Sequence, residues 1–198
     1  MKSSELPETI RAFISIELPE PLALDVTNLQ ERLEADLPQA VVRWVPRNQT
    51  HLTLKFLGSM ASADVGELVK KLEVVVRMTR PFVLRVEGLG CFPGPSRPRV
   101  IWVGLSGDLE LLKTLQAAIE IATQPWSEKE ERPFRAHVTI GRVREVAPRI
   151  VRQIGQRMKD TPVGTLGEWQ VTAINLMRSQ LSPKGAVHTV LASLPLAG

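Results

Sequence analysis

The chain has 198 residues, 43% hydrophobic and 23% charged, the balance of a globular domain able to bury a sizeable core. That excludes a disordered tail, a collagen-like repeat and a disulfide scaffold, and the single cysteine, Cys91, has no partner for an internal bridge. The formal charge is +4, carried by 17 Arg and 8 Lys against 21 acidic residues, a lean towards polyanions such as nucleic acid or nucleotides.

The opening stretch MKSSELPETI lacks the apolar core and cleavage-like site of a signal peptide. No apolar run approaches the roughly 20 residues of a membrane helix, so the cytoplasm is the expected compartment. Arg11–Glu17 reads as a first strand, stopped by Pro19 and Pro21. Pro21 suits the first position of a helix whose apolar face is Leu22, Val26, Leu29 and Leu33. A strand is expected over Thr50–Leu57. A helix follows over Ser62–Met78, with Asp64 and Glu67 as a capping box and Val65, Leu68, Val69, Leu72 and Val76 as its stripe.

Further along, strands are expected at Phe82–Val86 and Val100–Val103, with the glycine-rich stretch Gly88–Gly94 between them as a turn-rich connection. A helix begins near Asp108 with Leu112, Leu115, Ile119 and Ala122 on one side. A strand at Phe134–Arg142 precedes a helix near Val146 that uses Ile150, Ile154 and Met158. Strands at Gln170–Arg178 and Val187–Leu194 close the chain, joined by a loop at Ser182–Gly185. Helices and strands interleave to the end without a linker, which predicts an α+β class.

Two segments echo each other: Thr50-His-Leu-Thr-Leu-Lys-Phe56 and Ala136-His-Val-Thr-Ile-Gly-Arg142. A strand sends alternate side chains to opposite faces. His51, Thr53 and Lys55 therefore share one face, and Arg135, His137 and Thr139 share another. Leu52, Leu54 and Phe56, like Val138 and Ile140, face the opposite way, and simple alternation puts Arg142 with them. With 3 histidines and 12 threonines in the chain, two His-x-Thr pairs arise by chance in roughly 1% of cases.

Two histidines and two hydroxyls around one groove suit displacement at phosphorus, where attacking and leaving oxygens lie on opposite sides. One neutral histidine takes a proton from water while a protonated one delivers a proton to the leaving oxygen. An ordinary pKa of about 6.5 makes both forms accessible near neutrality. The threonine hydroxyls can donate to non-bridging oxygens as charge builds there. Such a scheme requires no cofactor and no metal. Lys55, Arg135 and Arg142 are candidates to bind the substrate's charge. A zinc site from His51, His137, His188 and Cys91 is conceivable, but these residues lack short ligand spacings. Phe13, Trp44, Phe92, Trp102, Trp126 and Trp169 are the aromatics available to stack a base.

The paired motifs His51-Leu-Thr-Leu-Lys-Phe56 and His137-Val-Thr-Ile-Gly-Arg142 closely resemble those of the two-histidine (2H) phosphoesterases. Within them the chain is similar to the RNA 2′,3′-cyclic phosphodiesterase family, also called bacterial and archaeal 2′-5′ RNA ligases. The resemblance extends to Arg11-Ala-Phe-Ile-Ser-Ile-Glu-Leu-Pro19, Arg43-Trp-Val-Pro-Arg47, Pro98-Arg-Val-Ile-Trp-Val-Gly104 and Met177-Arg-Ser-Gln-Leu-Ser-Pro-Lys-Gly185. It implies one domain over residues 1–198, built of two pseudo-symmetric lobes whose mainly antiparallel sheets, with outer helices, face each other across a groove. It also implies opening of an RNA or nucleoside 2′,3′-cyclic phosphate to a 2′-phosphate. His51 becomes the proton donor and His137 the proton acceptor, with Thr53, Thr139 and Arg142 beside them in the groove. The expected partners are RNA ends or nucleotides carrying the cyclic phosphate, with no membrane, and the expected state is a monomer. Ligation through a 2′-5′ bond in the same site, or RNA binding without turnover, are the alternatives. Two departures stand out: Ala136 where the family commonly has proline, and His188 where a tyrosine is common, in a chain with no tyrosine.

Overall fold

The computed structural model describes residues 7–182 and 185–198. Strand β1 (Thr9–Glu17) leads into helix α1 (Glu20–Ala35), then β2 (Val42–Trp44) and β3 (His51–Ala61). Helix α2 (Val65–Arg77) is followed by β4 (Phe82–Phe92), β5 (Val100–Gly107), α3 (Leu109–Ala122) and β6 (His137–Val143). The chain ends with α4 (Pro148–Asp160), β7 (Thr165–Val171), β8 (Ala173–Ser182) and β9 (Gly185–Pro195). The α+β class expected from the interleaved pattern is the one observed. No helix is long and apolar enough to cross a membrane among the described residues.

Every strand pairing is antiparallel, in the order β7-β4-β5-β6-β3-β1-β8-β9, with β2 also beside β6. The sheet falls into two halves. One is β7-β4-β5-β6 with β2, the other β3-β1-β8-β9. Among the described residues they meet through a single residue pair, Leu52 with Val138, at the seam between β3 and β6. Those two strands carry the His-x-Thr motifs, so both motifs stand at the seam.

The helical stripes do what their spacing predicts. Leu22, Val26, Leu29 and Leu33 of α1 are all buried, as are Leu68, Leu72 and Val76 of α2, Leu112, Leu115 and Ile119 of α3, and Ile154 and Met158 of α4. Each fully buried leucine contributes about 1.5–3 kcal/mol, and these residues join one hydrophobic cluster spanning both halves. The helices cross between halves. Helix α1, which follows β1, packs on β6 and β7, while α3, which follows β5, packs on β3 and α2.

Four local expectations change. Asp64 makes no side-chain capping bond, because a 3-10 turn over Ser62–Asp64 already holds it in helical conformation. Strand β4 runs on to Phe92 through the supposed turn: Gly88 takes a left-handed φ of 73° at a bulge, and pairing with β5 resumes at Leu89. The segment expected as one strand over Gln170–Arg178 is two. Val171 ends β7 opposite Phe82 in one half, and Ala173 starts β8 opposite Pro195 in the other. The short β2 is invisible in the sequence, since three residues carry no readable period. The loop expected at Ser182–Gly185 falls on residues 183–184, which lie outside the described residues.

Candidate active site

The seam dictates how the motifs face each other. Leu52 and Val138 are fully buried, so their neighbours His51, Thr53, His137 and Thr139 emerge together on the opposite, groove face. Counting outward from the bridge in antiparallel register sets His51 opposite Thr139 and Thr53 opposite His137. The two histidines thus stand diagonally across the bridge. The four side chains that alternation placed on groove faces are brought to one place.

Both imidazoles are held the same way. His51 Nδ1 lies 2.7 Å from the Gln49 carbonyl and His137 Nδ1 lies 2.7 Å from the Arg135 carbonyl. A carbonyl only accepts, so each Nδ1 carries the proton and donates it. Nε2 is left as the nitrogen available to a ligand on both rings. Aromatic side chains back each one. Phe13, 2% exposed, stacks on His51 at 5.0 Å, while Phe92 meets His137 edge-on at 5.0 Å and Trp102 stands 6.4 Å from it. Trp102 can lie flat only because its cross-strand neighbour is glycine: a Cβ on Gly90 would stand 2.2 Å from the indole. Gly90→Ala is therefore expected to displace Trp102 and cost about 1–3 kcal/mol. Chemical denaturation followed by tryptophan fluorescence reads both effects, and an unchanged midpoint would remove the argument.

His51 is not an ordinary histidine. Burial lowers its pKa to about 4, the Gln49 carbonyl opposes that fall, and nearby His188 lowers it further. His188 of β9 makes edge contacts with both Phe13 (4.9 Å) and His51 (5.5 Å), and its own pKa is lowered by burial. This third histidine thus joins the site, although its sequence context pointed to a plain strand residue. Cys91 does not join it. Opposite Ile101 on the core face of β4, it is buried, and burial pushes the thiol pKa up.

The basic residues divide, for one physical reason. Each His-x-Thr strand bulges at the residue after its threonine. Ser15 pairs with Thr53 but Ile14 with Lys55, leaving Leu54 extra; Trp102 pairs with Thr139 but Ile101 with Gly141, leaving Ile140 extra. A bulge shifts the phase of alternation by one residue. Lys55 therefore turns away from His51 and Thr53 to the core face, against the expectation of a substrate-binding role. Its side chain is 4% exposed and its Nζ lies 2.6 Å from Glu120 of α3. The same shift returns Arg142 to the groove face, opposite Val100, where simple alternation would not have put it. Arg135 precedes β6, exposed, and meets the site through its carbonyl.

Phe56 takes, after the first bulge, the place Arg142 takes after the second. It is 66% exposed on the groove face, 6.0 Å from Phe13. The sequence reading missed it, because uninterrupted alternation assigns it to the core. Of the other aromatics, Trp44 and Trp126 pack against the core and Trp169 is part of it.

Comparison with known proteins finds relatives over most of the chain. The family model described as LigT-like phosphoesterase matches the chain twice, over residues 16–102 and 103–188. The chain is 32% identical to the RNA 2′,3′-cyclic phosphodiesterase of Methanothermobacter thermautotrophicus, covering 91% of this chain and 95% of that one. It is 28% identical to the enzyme of the same name from Aquifex aeolicus, covering 96% and 100%. Among solved structures, a Thermus thermophilus protein superposes with a TM-score of 0.76 at 30% identity, covering 96% and 99%. E. coli LigT complexed with 3′-AMP shares the fold, with a TM-score of 0.74 at 22% identity, covering 96% and 100%.

Proposed function

The chain belongs to the LigT-like phosphoesterase family, and from that premise we propose that it hydrolyses the 2′,3′-cyclic phosphate at RNA ends or on nucleosides, yielding a 2′-phosphate. The relatives named above as RNA 2′,3′-cyclic phosphodiesterases support this substrate. The observation that carries the chemistry is the matched pair of Nδ1–carbonyl contacts, which leaves Nε2 of two diagonal imidazoles to work on one ligand.

In this reading a water oxygen attacks phosphorus while the P–O3′ bond breaks on the opposite side. His137 Nε2 takes the water's proton, and His51 Nε2 delivers a proton to the departing O3′. The family pattern supplies which histidine does which. Thr53 and Thr139 donate to the non-bridging oxygens, and the Arg142 guanidinium balances charge on the phosphate. Phe56 offers its exposed face to the base. A bound phosphate anion also favours the charged form of His51, opposing the burial that keeps its pKa low in the free site. The two lobes, each contributing one motif, act as a single pseudo-symmetric site.

The test is incubation of an oligonucleotide ending in a 2′,3′-cyclic phosphate with the protein in EDTA, and identification of the product end. Turnover undiminished by the chelator and a 2′-phosphate product are expected. Loss on chelation with recovery on adding zinc would replace this mechanism by a metal-assisted one. A folded protein with no turnover, but with tight binding of the same oligonucleotide, would make the groove an RNA-binding site.

A further inference from the structure

Both motif strands leave regular pairing at the same place, the residue after the threonine, and that irregularity decides what reaches the groove. A bulge takes backbone groups out of the ladder, and inside a protein such groups need other partners. Here the partners come from the helices beneath.

Under the second motif stands Gln30 of α1, a polar side chain only 5% exposed. Its Nε2 donates to the carbonyl of Ile140, the extra residue of the bulge, at 2.8 Å, and to the Val45 carbonyl at 2.9 Å. The Val45 amide itself donates to the Ile140 carbonyl at 2.9 Å. Both amide protons of Gln30 are spent on tying the bulge to the end of β2.

Under the first motif the bulge aims Lys55 inward. Its Nζ donates to Glu120 Oε1 at 2.6 Å and to the Glu128 carbonyl at 2.7 Å. Glu120 Oε1 also accepts from the Glu130 amide at 3.1 Å, so one carboxylate ties β3 to the segment that leads into His137. Gln116, one turn earlier on α3, lies 3.5 Å from the Leu54 carbonyl, on the long edge of a hydrogen bond. The arrangement is crossed. Helix α1 leaves the half carrying the first motif and braces the second, and α3 does the reverse.

We propose that Gln30 and the Lys55–Glu120 pair are positioning residues: they hold the two bulges in phase, and so keep Arg142 and Phe56 on the groove face with the histidines. The role in turnover rests on the phosphodiesterase reading; the role in geometry does not. Gln30→Met keeps length and helix preference but removes both donors. The double replacement Lys55→Met/Glu120→Gln removes the ion pair without stranding a buried charge.

The histidine ring signals, read by NMR and assigned with His→Ala variants, report geometry; kcat and KM on the cyclic-phosphate oligonucleotide report function. Gln30→Met is expected to shift the His137 signals, leave those of His51, and raise KM at least tenfold as Arg142 loses its place. The double replacement is expected to shift the His51 signals and lower kcat at least tenfold. Folded variants with wild-type ring signals overturn the proposal, even if their turnover falls through lost stability. Shifted ring signals in a protein whose wild type turns nothing over would uphold the braces and sink the phosphodiesterase reading instead. The Val45 amide, bonded to the same Ile140 carbonyl, is expected to exchange with solvent at least tenfold faster in Gln30→Met than in the wild type, and an unchanged rate overturns the Gln30 clamp.

Discussion

His51→Ala and His137→Ala are each expected to lower kcat on a cyclic-phosphate oligonucleotide by about a thousandfold, roughly 4 kcal/mol in the barrier. The reason is positional. Each ring presents one free nitrogen, because Nδ1 is committed to the carbonyl two residues earlier, so no second atom of either side chain can replace it. Both side chains are half-buried, and both variants should fold. Because the two imidazoles act in one displacement, the double variant should lose little more than either single one. Thr53→Val and Thr139→Val should cost less, since each removes one donor and leaves proton transfer intact. Steady-state rates on folded protein decide the matter. A single histidine variant that keeps more than a tenth of the wild-type rate would take that residue out of the proton-transfer scheme.

The second large effect concerns acid. A folded-state pKa of about 4 for His51, against an ordinary 6.5, means the unfolded chain takes up this proton first as pH falls. The neutral ring's stabilising contribution is therefore complete above about pH 6.5. It is lost between there and pH 4, amounting to about 3 kcal/mol. His188, also lowered, adds loss in the same direction. Urea denaturation of wild type and His51→Asn at pH 7 and pH 4 isolates the term. The wild type should lose about 3 kcal/mol more than the variant, and equal losses would show that His51 is not held neutral by the fold. Adding a nucleoside 2′-phosphate should raise the His51 pKa, since the anion compensates for the missing water. That rise is what a proton donor at neutral pH needs.

Much of this architecture is legible in the residues alone. Leu22, Val26, Leu29 and Leu33 recur at the helical period, and every one is buried. Alternation sends His51 and Thr53, like His137 and Thr139, to one face of their strands, and the duplicated motif marks two strands for one task. These are local properties: a period is written in the few residues that carry it, whatever they later touch. The exposed Phe56, the buried Lys55 and the groove-facing Arg142 are of another kind. Each follows from a bulge, and a bulge exists only relative to a partner strand, here β1 for Leu54 and β5 for Ile140. Those partners are legible as strands, but their register is not. The contact of His188 with His51 likewise depends on β9 joining β8, which in turn lies beside β1.

By itself, then, the sequence determined the class of fold, the helix faces and the four residues of the two motifs, because short-range periodicity encodes them. Tertiary structure alone decided that Lys55 turns to the core, by what bulge Arg142 reaches the groove that the family resemblance assigns it, how the motifs meet at Leu52 and Val138, and which helix braces which bulge. Those outcomes arise from pairing between distant segments, where the insertion of one residue reverses the face of every side chain beyond it.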